Sequence, residues 1–167
     1  MATYITEAQA DSRYSARLPV TLLAWNDTNN DYEAYDVWSD STSTEKTQAL
    51  TMATSFINDL DYDGEKADSN QDNAFPRAGQ SAVPEDVKRA TFLLALFFIE
   101  ETKRKEFAES TIRKAMEAGL ESYSTDIQSV SESFRWNKEV EKTAYGVVSP
   151  YLKKWIKGRY TITRWRC

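Results

Sequence analysis

Between Glu45 and Leu60 the apolar residues Ala49, Leu50, Ala53, Phe56, Ile57 and Leu60 recur at three- and four-residue steps. That spacing predicts a helix with one buried face. Thr44 is placed to cap it. A stronger pattern begins at Pro84, where a first-turn proline loses no hydrogen bond. Glu85 and Asp86 follow, favouring the positive end of the helix dipole. Val87, Ala90, Leu94, Phe97 and Phe98 make one stripe, and Phe92, Leu93, Leu96 and Ile99 cover most of the remaining surface. A helix apolar nearly all round must be wrapped on several sides, at a core or against a second subunit. Helical character extends to Ala118, and Gly119 is the natural stop.

The remaining pattern is weaker. Thr6-Glu-Ala-Gln9 has the form of a capping box and opens a first helix from Glu7 to Ala16. Leu18 to Trp25, with Pro19 inside, reads as a turn plus a short helix or extended piece. Residues 26–44 are polar and acidic yet hold Tyr32, Tyr35, Val37 and Trp38; they read as an inserted surface loop docking on its own domain or on a neighbouring copy. Residues 61–81 form a long loop with turns at Asp63-Gly64 and Pro76. In 122–136, Tyr123, Ile127, Val130, Phe134 and Trp136 lie at partly even spacing among Ser and Thr, which predicts extended or β structure. Ser149-Pro150 reads as the start of a short last helix with Tyr151, Leu152, Trp155 and Ile156 on its apolar face. The alternating tail beyond Gly158 is rich in β-formers. The expected fold is mainly α: a small bundle of about four to five helices, a short β or extended segment, and an extended C-terminal arm. Residues 1–148 form the helical domain, and 149–167 the last helix and arm.

Size and charge narrow the picture. At 167 residues, 41% of them hydrophobic, one domain is the default, and a core can form without disulfides or metal. The five Trp and nine Tyr suit a core or an interface. The formal charge of −5 is unevenly placed. Residues 27–72 carry twelve acids against Lys46 and Lys66, whereas 150–167 carry Lys153, Lys154, Lys157, Arg159, Arg164 and Arg166 and no acidic side chain. Such asymmetry predicts either two solvated faces or two surfaces with different partners. The N-terminus lacks the pattern of a signal peptide. The apolar run Phe92–Ile99 is far shorter than the ~20 residues that span a bilayer. The expectation is a soluble protein made in the cytoplasm, with no membrane partner.

Candidate chemistry is sparse. There is no histidine, and the one cysteine is Cys167, so a Ser-His-Asp set and a cysteine-based metal site are excluded. Asp59-Leu-Asp61-Tyr-Asp63-Gly64-Glu65 resembles the start of a calcium loop, but its twelfth position is Asn70 where a bidentate glutamate is required. Glu100 and Glu101 are adjacent and diverge on a helix. No glycine-rich phosphate loop occurs. The expectation is a protein that is not an enzyme and takes no cofactor or metal. The basic, aromatic tail is the best functional candidate: it could enter a protein partner as an added strand, track a phosphate backbone while stacking bases, or dock on its own domain.

Four segments in order, Met1–Asp11, Lys46–Asn58, Gln71-Asp-Asn-Ala-Phe-Pro-Arg77 and Val83-Pro-Glu-Asp-Val-Lys-Arg-Ala-Thr91, resemble the head-to-tail connector, or adaptor, proteins of tailed bacteriophages. A closely similar set is labelled DnaT-like single-stranded-DNA-binding protein. Ser149-Pro-Tyr-Leu-Lys-Lys-Trp155 is similar to the family's final helix. The resemblance implies a structural virion protein at the head–tail interface: a helical adaptor forming a ring, usually of twelve copies, below the portal protein. It would join a tail or nozzle protein, with genomic double-stranded DNA passing through the lumen. The C-terminal arm would reach the portal, with Trp155, Arg159, Tyr160, Ile162, Arg164 and Trp165 as its contact residues. Tyr32, Tyr35, Trp38, Arg77, Phe97 and Phe98 are the candidates for contacts between copies or with the tail. The alternative is a single-stranded-DNA-binding module. The segment 26–44 is longer and more acidic than in the simplest connectors, which bears on the ring's periphery and not on its core.

Overall fold

The computed structural model describes residues 2–15, 20–26, 31–117 and 138–157. In chain order its elements are α1 (Glu7–Arg13), β1 (Thr21–Asn26), β2 (Asp31–Asp36), α2 (Ser43–Asn58), α3 (Glu85–Glu117) and α4 (Lys138–Leu152). The fold is mainly α, as the apolar periodicity predicts. The extended segment expected at 122–136 lies outside the described residues.

At 33 residues, α3 is about 50 Å long. It is the axis of the fold, and α2, α4 and β1 all pack against it. Val87, Ala90, Thr91, Phe92, Leu94, Ala95, Leu96, Phe98 and Ile99 are buried, which is why its apolar residues occupy nearly every face. α2 contributes Ala49, Leu50, Ala53 and Ile57; α4 contributes Ala144, Val148 and Leu152, one residue per turn.

Local chemistry sets the helix ends. Thr6 and Gln9 close the expected capping box on α1, which ends at Arg13. On α2 the cap is Thr42, two residues before Thr44: its hydroxyl accepts from the Glu45 N–H, and the Glu45 carboxylate accepts from the Thr42 N–H. The acid needed at the third helical position is Glu45, so only Thr42 satisfies both halves of the box.

Two sequence expectations are corrected. Of the two readings of 18–25, the extended piece is the one observed, as β1, whereas 31–36, expected within a surface loop, is a strand. The two strands form an antiparallel ribbon in which Leu22 pairs with Tyr35 and Leu23 with Ala34. Polarity masks it in the sequence, because an antiparallel ribbon needs only one apolar face. Ser149-Pro150 does not open a helix. Pro150 stands inside the last turn of α4, which begins at Lys138. A proline this close to a helix end removes one backbone bond, and the buried row Ala144–Val148–Leu152 on α3 outweighs that loss.

Candidate functional site

The chain just after α4 is joined to the body at a well-built junction. After α4, the Trp155 carbonyl accepts the Asp63 N–H at 2.8 Å, and the Lys157 N–H donates to the Asp61 carbonyl at 3.0 Å. These bonds form an antiparallel bridge between Tyr62 and Ile156. The Trp155 ring stands edge-on to buried Phe75 at 5.2 Å, and Phe75 in turn meets the Tyr62 and Tyr4 rings. Lys154 reaches Asp86 at 2.6 Å and covers the Trp155 ring at 4.2 Å. Of the residues expected to contact a portal, Trp155 is half-buried within this junction. Arg159, Tyr160, Ile162, Arg164 and Trp165 lie outside the described residues.

The loop that receives this junction is held from beneath by Arg77. Its guanidinium donates to the carbonyls of Asp63 (2.9 Å), Gly64 and Ala74, and lies over the Tyr62 ring at 5.6 Å. Its Nε has no partner. Backbone bonds from the Ala67 N–H to the Pro76 carbonyl and from the Ala78 N–H to the Glu65 carbonyl tie the two sides of the loop together. Gly64, at φ 77°, makes a reversal that a residue with a Cβ would resist. Phe75–Pro76 is a cis peptide.

The other sequence candidates divide by burial. Trp38 is 2% exposed: its ring is edge-on to Phe92 at 5.0 Å and its indole N–H donates to Asp11 at 2.6 Å. Tyr35 is half-buried against Phe107 at 5.3 Å, with Lys103 over its ring. Phe98 is 4% exposed and forms the floor of a small groove between α2 and α3, with Met52 and Ile99. Arg77 is buried as described. Phe97 is half-buried. Tyr32 pairs with Trp25 in the ribbon's ladder. Thus Trp38, Arg77 and Phe98 serve the interior. Leu23 of β1, 68% exposed, is an outward apolar residue that the hydropathy pattern does not single out.

Electrostatics bind the helices to α3. The Glu85 carboxylate accepts the Tyr14 hydroxyl and the Arg13 guanidinium, and the phenol's hydrogen bond holds it below the usual carboxylate range. Burial, with the Glu85 contact adding to it, pushes Tyr14 up to about 12. Across α2 and α3, Lys103 reaches Glu45 at 2.6 Å and Glu106 at 2.9 Å. The Lys103 contact lowers the Glu45 pKa; burial opposes the Lys103 charge, but the two carboxylates outweigh it and raise its pKa. Sequence reasoning misses Asp11, Tyr14 and Glu85 because their partners lie 27 to 72 positions away, where no local signal reaches.

Among the described residues no group of three or more Cys, Asp or Glu is placed to hold a metal ion, and no helix is long and apolar enough to cross a membrane. What the described surface offers is a braced acidic loop, a two-stranded ribbon and the root of a basic segment. Residues 2–166 match the model of the family described as "Putative DnaT-like ssDNA binding protein". The chain belongs to this family. No curated protein and no solved structure matches it. The family match spans the helical body and the basic segment together.

Proposed function

We propose that this DnaT-like family member is a structural adaptor of a tailed-phage virion. Copies assemble as a ring below the portal protein and join it to a tail component, and duplex DNA passes through the lumen. The arm beyond Gly158 anchors the ring to the portal, and the ribbon, with outward Leu23, contributes to contacts between copies. The protein performs no catalysis in this reading.

One observation carries the choice between this and a single-stranded-DNA-binding module. Seven described cations are engaged within the fold. Arg13, Lys46, Lys88, Lys103, Arg104 and Lys154 each face a carboxylate, and Arg77 is buried among carbonyls. A phosphate-tracking surface needs uncompensated Lys and Arg, whose counterion release supplies the affinity. Cations neutralised within the fold supply little of it, and the acidic stretch repels a nucleic acid. The family description favours the second reading, and the arm's cations would have to carry it.

The test is co-purification with the portal protein of the same phage, paired with a single-stranded-DNA titration at two salt concentrations. The adaptor reading expects portal capture by the full chain, loss of capture when residues 159–167 are deleted, and weak DNA affinity. Tight DNA binding that falls steeply with salt, together with no portal capture, overturns it.

A further inference from the structure

Among the described cations, three stand apart. Lys142, Lys153 and Lys157 are exposed, and none pairs with a described carboxylate. All three lie on α4 or in the turn that follows it. From Lys142 to Lys157 the sequence holds no Asp or Glu. Lys154, within the same stretch, is instead held by Asp86.

Helix geometry collects these charges on one side. Lys142 and Lys153 are eleven positions apart, about three full turns, so they point the same way along about 16 Å of helix. Lys153 still belongs to the helical ladder, its N–H donating to the Ser149 carbonyl at 2.9 Å. Gly146 and Ser149 fall between the two lysines on the same side. The row Ala144–Val148–Leu152 faces the opposite way, into α3. The middle of this outer face is low. Gly146 is exposed, and a Cβ built there would meet nothing within 4 Å, so no packing inside the chain requires a glycine. A mid-helix glycine is destabilising relative to alanine, and here it leaves bare backbone that a partner can approach closely.

The face offers charge without an open aromatic ring. Tyr145 and Tyr151 are half-buried, with Arg89 over the Tyr151 ring, and Trp155 packs on Phe75 beneath Lys154. Single-strand binding relies on open rings that stack unpaired bases. Free lysines on a straight, unobstructed helix face suit the phosphates of a stiff duplex instead.

We propose that this face of α4, with Lys157 beyond it, meets the phosphate backbone of duplex DNA. Charge complementarity selects the occupant, and for its place in the ring the inference rests on the adaptor reading: α4 turns its outer face to the lumen. Three phosphate contacts per copy make a weak contact without sequence preference, under which DNA can slide.

The full chain is titrated, by fluorescence anisotropy across a salt series, with a random-sequence duplex and with a single strand of the same length. Duplex binding is expected, with the logarithm of the affinity falling linearly against the logarithm of salt concentration. Lys142→Gln/Lys153→Gln/Lys157→Gln should weaken it and lower the slope by about 3, close to one per phosphate contact. Gly146→Glu places an acid between the lysines without a clash and should weaken duplex binding too. Lys66→Gln/Arg104→Gln/Lys105→Gln removes the same charge from other exposed positions and should leave the slope unchanged. No duplex binding by the unsubstituted chain, an unaltered slope in the α4 variant, or an equal fall in the control variant overturns the proposal. Tighter binding of the single strand, lost on the α4 substitutions, overturns the assignment to duplex. Portal capture is scored on the same variants. Capture with an unaltered slope removes this inference alone, and an α4-dependent slope without capture removes the adaptor reading alone.

Discussion

Trp38 sits in an acidic, polar stretch whose composition suggests a surface aromatic. Its ring instead fills the space beside Phe92, and its N–H finds the Asp11 carboxylate of α1. A buried indole needs such a partner, and its apolar body supplies most of the gain. Trp38→Ala is expected to lower the unfolding free energy by about 3–5 kcal/mol, the usual cost of emptying a buried aromatic site. Urea denaturation of the variant measures this. A loss within experimental error would mean that the chain after the ribbon does not seat Trp38 in the core. Arg77 makes the same point with a charge. Beside Pro76 it reads as one more polar loop position, and its work of gathering three carbonyls is visible only in the fold.

Helices are legible in the sequence where two signals agree. For α3 the all-round apolar pattern and the Pro-Glu-Asp start agree, and the helix begins at Glu85 as expected; the expected stop at Gly119 lies outside the described residues. For α2 the face is legible but the start is ambiguous, because Thr42 and Thr44 both precede the apolar run. The structure assigns the cap to Thr42 through its reciprocal bonds with Glu45. Thr42→Ala should therefore cost about 1 kcal/mol, while Thr44→Ala should stay within about 0.5 kcal/mol. Parallel thermal melts of the two variants separate them, and equal losses would contradict the assigned cap. The ribbon also leaves a usable signal. Asp27-Thr-Asn-Asn30 is a run of turn formers, flanked by Leu22–Trp25 on one side and by Tyr32 and Tyr35 on the other. In the ladder, the backbone register pairs Leu22 with Tyr35 and Trp25 with Tyr32.

For the molecule as a whole, α3 is the hub to which the other helices are tied by charge as well as by packing: α1 through Glu85, α2 through Lys103, and the chain just after α4 through Asp86. This gives the fold a defined pH window. The folded-state pKa values of Glu45 and Glu85 lie below their ordinary 4.5. Their contribution is therefore present above that value and is lost as pH falls through the folded-state values. Tyr4 and Tyr14 move the other way, from 10.0 to about 12, chiefly through burial. Their contribution is complete below pH 10.0 and is lost as pH rises through about 12. Melting temperature measured across pH should form a plateau with an acid limb and an alkaline limb. Glu45→Gln/Glu85→Gln should flatten the acid limb and leave the alkaline one in place. An unchanged acid limb in that variant would remove these two contacts from the account.

The mainly α class, the central helix, the buried face of α2 and the charge asymmetry are all written in the chain, because each follows from residue type and local spacing. Three other outcomes appear only once the chain is folded: which aromatics are interior, which threonine caps α2, and that the root of the basic segment lies against the acidic loop. The first and third depend on contacts between residues tens of positions apart, such as Trp38 with Asp11 and Trp155 with Asp63. The second depends on where the packed helix begins. Periodicity records how a segment meets its surroundings, but it carries no record of which distant segment provides them.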